Sequence, residues 1–219
     1  MSYFGSTDYA TEVSKNNVPG AAPVLVIGNY SNVPAGSTTT IWDVGGNYTY
    51  LTANTQLYIS SSSASDTAVN VTVVNLDEDY NAANLTVTTN GQTQVALSAA
   101  TAFRVNIAVV TGSTAPIGDL YIAESDSLTA GVPNTASKIK AKIPLARSID
   151  GLSVIDTGTV FASDNISHNG FYSVEAGKVA LVKRIIVGTN KNEDVRVEGH
   201  LKLFGGPFLN RNPIPIYQA

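Results

Sequence analysis

Three features of the chain predict an all-β, antiparallel fold. β-Branched runs bounded by Gly, Pro and Asn recur about every 10 residues, the spacing of a sandwich or barrel. Apolar and polar residues alternate in several of these runs, whereas helical spacing is hard to find. Asn90-Gly91 stands between two such runs and suits the positive φ angles of a type I′ hairpin turn.

Taken in order, residues 1–28 read as an extended N-terminal arm, because Pro19-Gly20 and Pro23 interrupt them and alternation begins only at the end. Strands are expected at 24–27, 39–44 and 56–60. Residues 67–74 follow, where Val69, Val71 and Val73 alternate with Ala68, Asn70 and Thr72. The Asn90-Gly91 hairpin joins 85–88 to 92–97, and further strands are expected at 103–109, 119–123, 138–143, 170–174 and 178–187. The clearest is 194–204: Val195, Val197, Leu201 and Leu203 point one way, and Asp194, Arg196, Glu198, His200 and Lys202 the other. Close to a dozen strands exceed a seven-stranded sandwich, so two packed lobes or a jelly-roll-like body with additions is expected. Gly131-Val132-Pro133-Asn134-Thr135 reads as the joint, giving a first lobe at 29–134 and a second at 135–204. The Pro-rich end, 205–219, reads as a second arm lying against another subunit, or else as a disordered end. Val33-Pro34-Ala35-Gly36 and Val174-Glu175-Ala176-Gly177 look like related turns feeding strands.

Composition narrows function. Of 219 residues only 14% are charged, against roughly 25% usually, so Ser, Thr and Asn must cover the surface. Zero cysteines exclude disulfides, thiolate catalysis and Cys-ligated metals, and two histidines leave little room for a His-rich centre. A net charge of −4 offers no footprint for nucleic acid or anionic lipid. The start, Met1-Ser2-Tyr3-Phe4-Gly5, has neither the basic nor the apolar region of a secretory signal, so release into the cytoplasm is expected. No apolar run reaches the roughly 18–20 residues of a membrane-spanning helix.

Catalytic motifs are sparse, and no catalytic residue, cofactor or metal ligand is assigned. His200 falls on the polar face of a strand, and His168 sits in a turn from which it is expected to project. Asp77-Glu78-Asp79 resembles a calcium loop only in part, since Ala82 and Thr88 stand where such a loop needs Gly and Glu. An acidic hairpin tip is the simpler reading, and Asp77 with Asp79 is the one carboxylate pair to consider for glycan hydrolysis. Gly45-Gly46 and Gly205-Gly206 lead into no helix and carry no phosphate-loop pattern. Trp42, Tyr48, Tyr50 and Tyr58 suit a sugar-stacking platform, although Trp42 in its strand reads first as a core or interface plug. Five Asn-x-Ser/Thr sequons, at Asn29, Asn47, Asn70, Asn84 and Asn165, are what a chain rich in Asn and Thr produces by chance.

Several segments taken together resemble a known group: Ile41-Trp42-Asp43, Ile59 through Ala68, Asn90-Gly91-Gln92-Thr93, Phe103-Arg104-Val105-Asn106-Ile107-Ala108, Ile117-Gly118-Asp119-Leu120-Tyr121-Ile122, and Gly170 through Lys178. They are similar to β-rich virion structural proteins of tailed phages, particularly short-tailed phages of aquatic bacteria, of the capsid decoration (head-fibre or knob-like) kind. Glu175 stands where that group is expected to carry Pro. The resemblance implies a non-enzymatic cement protein made in the bacterial cytoplasm and carried on the capsid surface. Its implied partners are the major capsid protein and further copies of itself, as a trimer at local three-fold positions. From the arms, Tyr3, Phe4, Tyr9, Ile214, Ile216 and Tyr217 are the expected capsid or intersubunit contacts. The alternative is a tail or fibre protein binding host glycan through Trp42, Tyr48, Tyr50 and His168.

Overall fold

The computed structural model describes residues 12, 13, 15, 17–24, 26, 28–30, 36–145, 166–180, 182 and 185, together with the backbone of 196–199 and 214–218. The chain divides into two compact units, Val24–Val179 and a second made of Met1–Pro23 with Ala180–Ala219. The fold is all-β and antiparallel.

In the larger unit, β1 (Tyr58–Ser61), β4 (Val95–Ala96), β6 (Leu120–Ala123) and β9 (Ile139–Ile143) form one sheet in the order β4-β1-β6-β9. The strands β2 (Asn70–Leu76), β3 (Ala82–Thr88) and β5 (Arg104–Val110) form another in the order β3-β2-β5. Short strands β7 (Leu128–Thr129) and β8 (Val132–Pro133) make a hairpin, and Ala136–Lys138 forms one 3-10 turn before β9.

Alternation decides the packing. Val71 and Val73 of β2, Leu85 and Val87 of β3, and Val105 and Ala108 of β5 share one core with Ile59, Leu120, Ile122, Ala141 and Ile143 of the four-stranded sheet. The two sheets therefore pack face to face as a sandwich, each buried aliphatic side chain contributing about 1.5–3 kcal/mol. The four-stranded sheet is covered on its other face too, where Trp42, Tyr121, Ala123 and Ile139 form a second cluster. A strand covered on both sides needs apolar residues at every position, and β6 is buried throughout.

Four passages carry the chain between the two sheets, and three of them meet at Asp66. This residue is 2% exposed. Its carboxylate accepts hydrogen bonds from Ser61 Oγ (2.5 Å), Ile117 N (2.8 Å) and Gly118 N (2.9 Å). Its carbonyl accepts from Gly91 N (2.8 Å), while the Gly91 carbonyl accepts from Ser61 N (2.9 Å). The β1–β2, β3–β4 and β5–β6 connections are thereby tied to one side chain. Gly131 closes the knot: at φ +78 its position has no room for a Cβ, which would lie 1.8 Å from the Ser61 carbonyl oxygen.

Several expectations are corrected. Asn90-Gly91 does not join a hairpin, because β3 pairs with β2 and β4 with β1. Thr93 N donates to Asn90 O, and Gly91 (φ +57) is the position with positive φ, so the turn is of the II′ kind with Asn90 at its first corner. The expected joint at 131–135 is the β7–β8 turn and the residues after it, inside the larger unit, and β9 beyond it pairs with β6 before it. Residues 39–44 and 170–174, and the described parts of 24–27 and 178–187, form no strand. Residues 41–44 instead turn about Trp42, whose carbonyl accepts from Gly45 N. In the second unit, β10 (Arg196–Gly199) pairs with β11 (Ile214–Gln218), with a register shift between Val197 and Glu198. Pro215 is tolerated because a two-stranded ribbon has only edges. The rest of the expected strand 194–204, His200 included, lies outside the described residues.

Replacing Asp66 with Asn leaves one amide nitrogen where a carboxylate oxygen accepted backbone N–H groups. The expected cost is about 2–3 kcal/mol, read as a fall in Tm of roughly 5–10 °C; an unchanged Tm would show that the knot contributes nothing. A second expectation concerns the β2–β3 turn. Backbone N–H donation from Asn81 (2.8 Å) is the main influence holding the Asp77 carboxyl below the 3.8 usual for Asp. Its contribution to turn stability is complete above that value and lost as pH falls through the lower folded-state value. An NMR titration of Asp77 with a midpoint at or above 3.8 would refute this.

Candidate functional site

The sequence-selected residues around Trp42 and His168 come together on one flank of the larger unit, organised by a strap at residues 166–176. The strap covers the outer edge of β5. Ser167 N donates to Ala108 O (2.8 Å) and Ser167 Oγ accepts from Ala108 N (2.9 Å). Two residues earlier, at the irregularity where β5 loses register with β2, Asn106 Nδ2 donates to Ser173 O and Asn106 Oδ1 accepts from Ser173 N, both at 2.8 Å. The Asn106 amide thus acts as an extra peptide group, continuing the edge pairing where the backbone cannot. Ala176 N donates to Tyr80 O (2.9 Å) and ties the strap's end to the β2–β3 turn.

The strap also meets the segment around Trp42. Asn169 pairs with Gly28, and Gly170 (φ +66) lies so close to Ile41 that a Cβ would stand 2.1 Å from its carbonyl oxygen. His168 does not project into solvent. Its Nδ1 stands 3.0 Å from Asp43 Oδ2, with the two side chains 13% and 7% exposed. Asn29 Nδ2 donates to the other carboxylate oxygen at 3.0 Å. Asp43, which sequence reasoning passed over, is what draws the imidazole inward; the signal available was its place beside Trp42.

Trp42 is 2% exposed, and its indole N–H is shared between the carbonyls of Gly45 (3.0 Å) and Gly46 (3.2 Å). Its ring faces are enclosed and do not offer a stacking surface for sugar. Tyr48 packs edge-on against Trp42 (5.0 Å) and tilts against Phe171 of the strap (4.2 Å). Burial pushes its phenol well above the ordinary tyrosine range, and its hydroxyl donates to Lys140 O at 3.3 Å. Tyr50 alone of the three is open, at 42% exposure. Next to it Arg104 stacks over Phe103 at 3.8 Å and over Tyr50 at 5.1 Å, with Nη1 donating to the carbonyls of Leu51 and Phe103. Burial raises the Tyr50 phenol, and the guanidinium opposes that rise. Tyr172 is pushed up to about 12 by burial and by its hydrogen bond to Glu175 (2.7 Å).

The arrangement is a lock between segments. Asn29, Asn106, Ser167, Tyr48 and Arg104 are each directed at another segment of the chain, and the rings of Trp42, Tyr48, Tyr50 and Phe171 are in contact with one another. The buried Lys140 is likewise committed, pairing with Glu124 (2.9 Å) and donating to the carbonyls of Thr49 and Ser137. Among the described residues no three His, Asp or Glu side chains gather as metal ligands would, and no helix is long and apolar enough to cross a membrane. Asp77 is engaged with Asn81 in the β2–β3 turn, through both the Asn81 backbone and its side chain. Tyr3, Phe4 and Tyr9 lie outside the described residues; for Ile214, Ile216 and Tyr217 the backbone alone is described, in β11.

Comparison with protein-family models, curated proteins and solved structures finds no match.

Asn106→Ala removes both hydrogen bonds to Ser173 and leaves β5 and its core residues in place. The expected loss is about 1–2 kcal/mol, with faster hydrogen exchange at the Ser173 and Ser167 amides than in the core of β2. Unchanged exchange in the strap would mean that Asn106 does not hold it.

Proposed function

We propose that this chain is a capsid decoration (cement) protein of a tailed phage, present in many copies that bind the major capsid shell and stabilise the head. The supporting observation is where the family-like segments go. Ile59 through Ala68, Asn90 through Thr93 and Ile117 through Ile122 converge on the Asp66 knot. Phe103 through Ala108, Gly170 through Lys178 and Ile41 through Asp43 converge on the strap. The residues that carry the resemblance are therefore engaged in holding a sandwich rigid, the property expected of a protein whose task is mechanical. A likeness concentrated in scaffold residues speaks for the scaffold and assigns no ligand chemistry.

A cement protein works by many modest contacts spread over a shell, with apolar and backbone groups covered on docking. The chain has exposed apolar side chains suited to this: Val24, Val179 and Val182 are 56%, 94% and 74% exposed. The terminal residues Tyr3, Phe4, Tyr9, Ile214, Ile216 and Tyr217 are the further contact candidates in this reading.

Cryo-electron microscopy of intact virions, with gel densitometry of purified particles, tests the proposal. Density repeated over the whole head and a copy number in the hundreds are expected, and heads lacking the protein should burst at a lower temperature. Density confined to the tail or to one vertex would overturn the head assignment and favour host-surface binding.

A further inference from the structure

We propose that Asn90-Gly91 is a site of spontaneous deamidation, held in check by the closed Asp66 knot, whose isoaspartate product prevents the knot from closing again. In an Asn-Gly step the main-chain nitrogen of Gly can attack the Asn side-chain carbonyl carbon, since no Cβ on the glycine stands in the way. The Gly91 N–H gives up its proton, a bond forms from Gly91 N to Asn90 Cγ, and the bond from Cγ to the side-chain nitrogen breaks, releasing ammonia. Water then opens the cyclic imide at either carbonyl, leaving aspartate or isoaspartate at position 90. Water is the sole co-reactant, and nothing is oxidised or reduced.

The side chain is free for this reaction and the backbone is not. Asn90 is exposed, and its side-chain amide has no hydrogen-bond partner among the described residues. The peptide unit between Asn90 and Gly91, in contrast, is held from both sides: Gly91 N donates to Asp66 O at 2.8 Å, and Asn90 O accepts from Thr93 N at 3.1 Å. Gly91 is itself buried, which keeps base from its N–H. The attack therefore requires the knot to open, and its rate falls with the fraction of molecules that are open.

The product does not fit the closed state. Gly91 lies against Ala64, where a Cβ on it would stand 2.6 Å from the Ala64 carbonyl oxygen. Isoaspartate lengthens the main chain by a methylene at this point, so Gly91 cannot at once donate to Asp66 O and accept from Ser61 N. A molecule that opens is thus exposed to permanent loss, and the lifetime of the protein depends on how often the knot opens. Asn169-Gly170, the other such step in the chain, is protected differently. Its Asn is 3% exposed and directs Nδ2 at Val105 O (3.5 Å), so the strap and not the knot governs it. The inference concerns the chain itself and does not depend on the virion role proposed above.

Peptide mapping by mass spectrometry tests it, on the full chain kept at mildly alkaline pH, either folded or in denaturing urea. Deamidation at Asn90 is expected to be at least about tenfold slower in the folded protein than in urea. Ser61→Ala, which removes one bond to the Asp66 carboxylate, should speed modification at Asn90 in the folded protein and leave Asn169 at its wild-type rate. On return from urea, isoaspartate at position 90 should be confined to chains that fail to refold. Asn90→Ser, which suits the first position of the turn, should refold in higher yield than the wild type after the same incubation. Equal rates at Asn90 in folded and unfolded protein, or no modification in either, would overturn the proposal, as would refolded protein that carries isoaspartate there. A rise at both Asn-Gly steps in Ser61→Ala would show that global unfolding exposes the site, and would overturn the assignment to the knot.

Discussion

A carboxylate buried at the end of a sandwich holds this fold together. Asp66 is taken out of water, which is costly for a charged group, and three short hydrogen bonds offset that cost, two of them from backbone amides that would otherwise lack partners. Because those amides belong to the loop entering β6 and the hydroxyl to the end of β1, one side chain fixes the separation of two passages between sheets. The backbone of the same residue fixes a third through Gly91. Hydrophobic burial supplies most of the stability of the sandwich. The Asp66 bonds supply its register, since apolar contacts are non-directional and tolerate sliding, whereas a carboxylate with fixed donors does not.

The opposite requirement, protection of open strand edges, explains the strap. The edge of β5 is covered by residues 166–173 through Ser167 and Asn106. The edge of β3 is covered only locally, where Ser98 N donates to Thr86 O and Ser98 Oγ accepts from Thr86 N. Both devices use Ser or Asn side chains as substitutes for peptide groups. A chain poor in charge cannot rely on lysines along its edges, the common way of discouraging edge pairing. Its abundance of Ser, Thr and Asn is thus put to structural use, in addition to covering the surface.

Much of this was legible in the sequence, and the residues show why. Alternation placed β2 and β5 to within a few residues, because the period of two is imposed by the pleat itself, and the apolar runs at 119–123 and 138–143 placed β6 and β9. Asn90-Gly91 announced a turn correctly but not its partners: a local signal cannot tell whether the chain returns to the same sheet or crosses to the other. The apolar run at 24–27 read as a strand, yet Val24 and Val26 stand exposed outside any sheet. At the strap, Trp42, Tyr48 and His168 were singled out for their chemical type, while Asp43 and Asn106, which position His168 and the strap, were noticed only as members of the family-like segments and given no role. Their roles arise from pairing across long stretches of chain, Asp43 with His168 and Asn106 with Ser173, and no window along the sequence contains both partners.

The strand order β4-β1-β6-β9 sets an order of events during synthesis. The first strand of the sandwich gains its second partner only when β6 has left the ribosome, and its sheet is incomplete until β9 follows. Until then the core shared by Ile59 and the valines of β2 lacks Ala141 and Ile143, and β6 has one edge unpaired. Such a chain folds late and all at once, with a rate governed by distant contacts, and its yield in a heavily translating cell depends on what shields those strands in the interval.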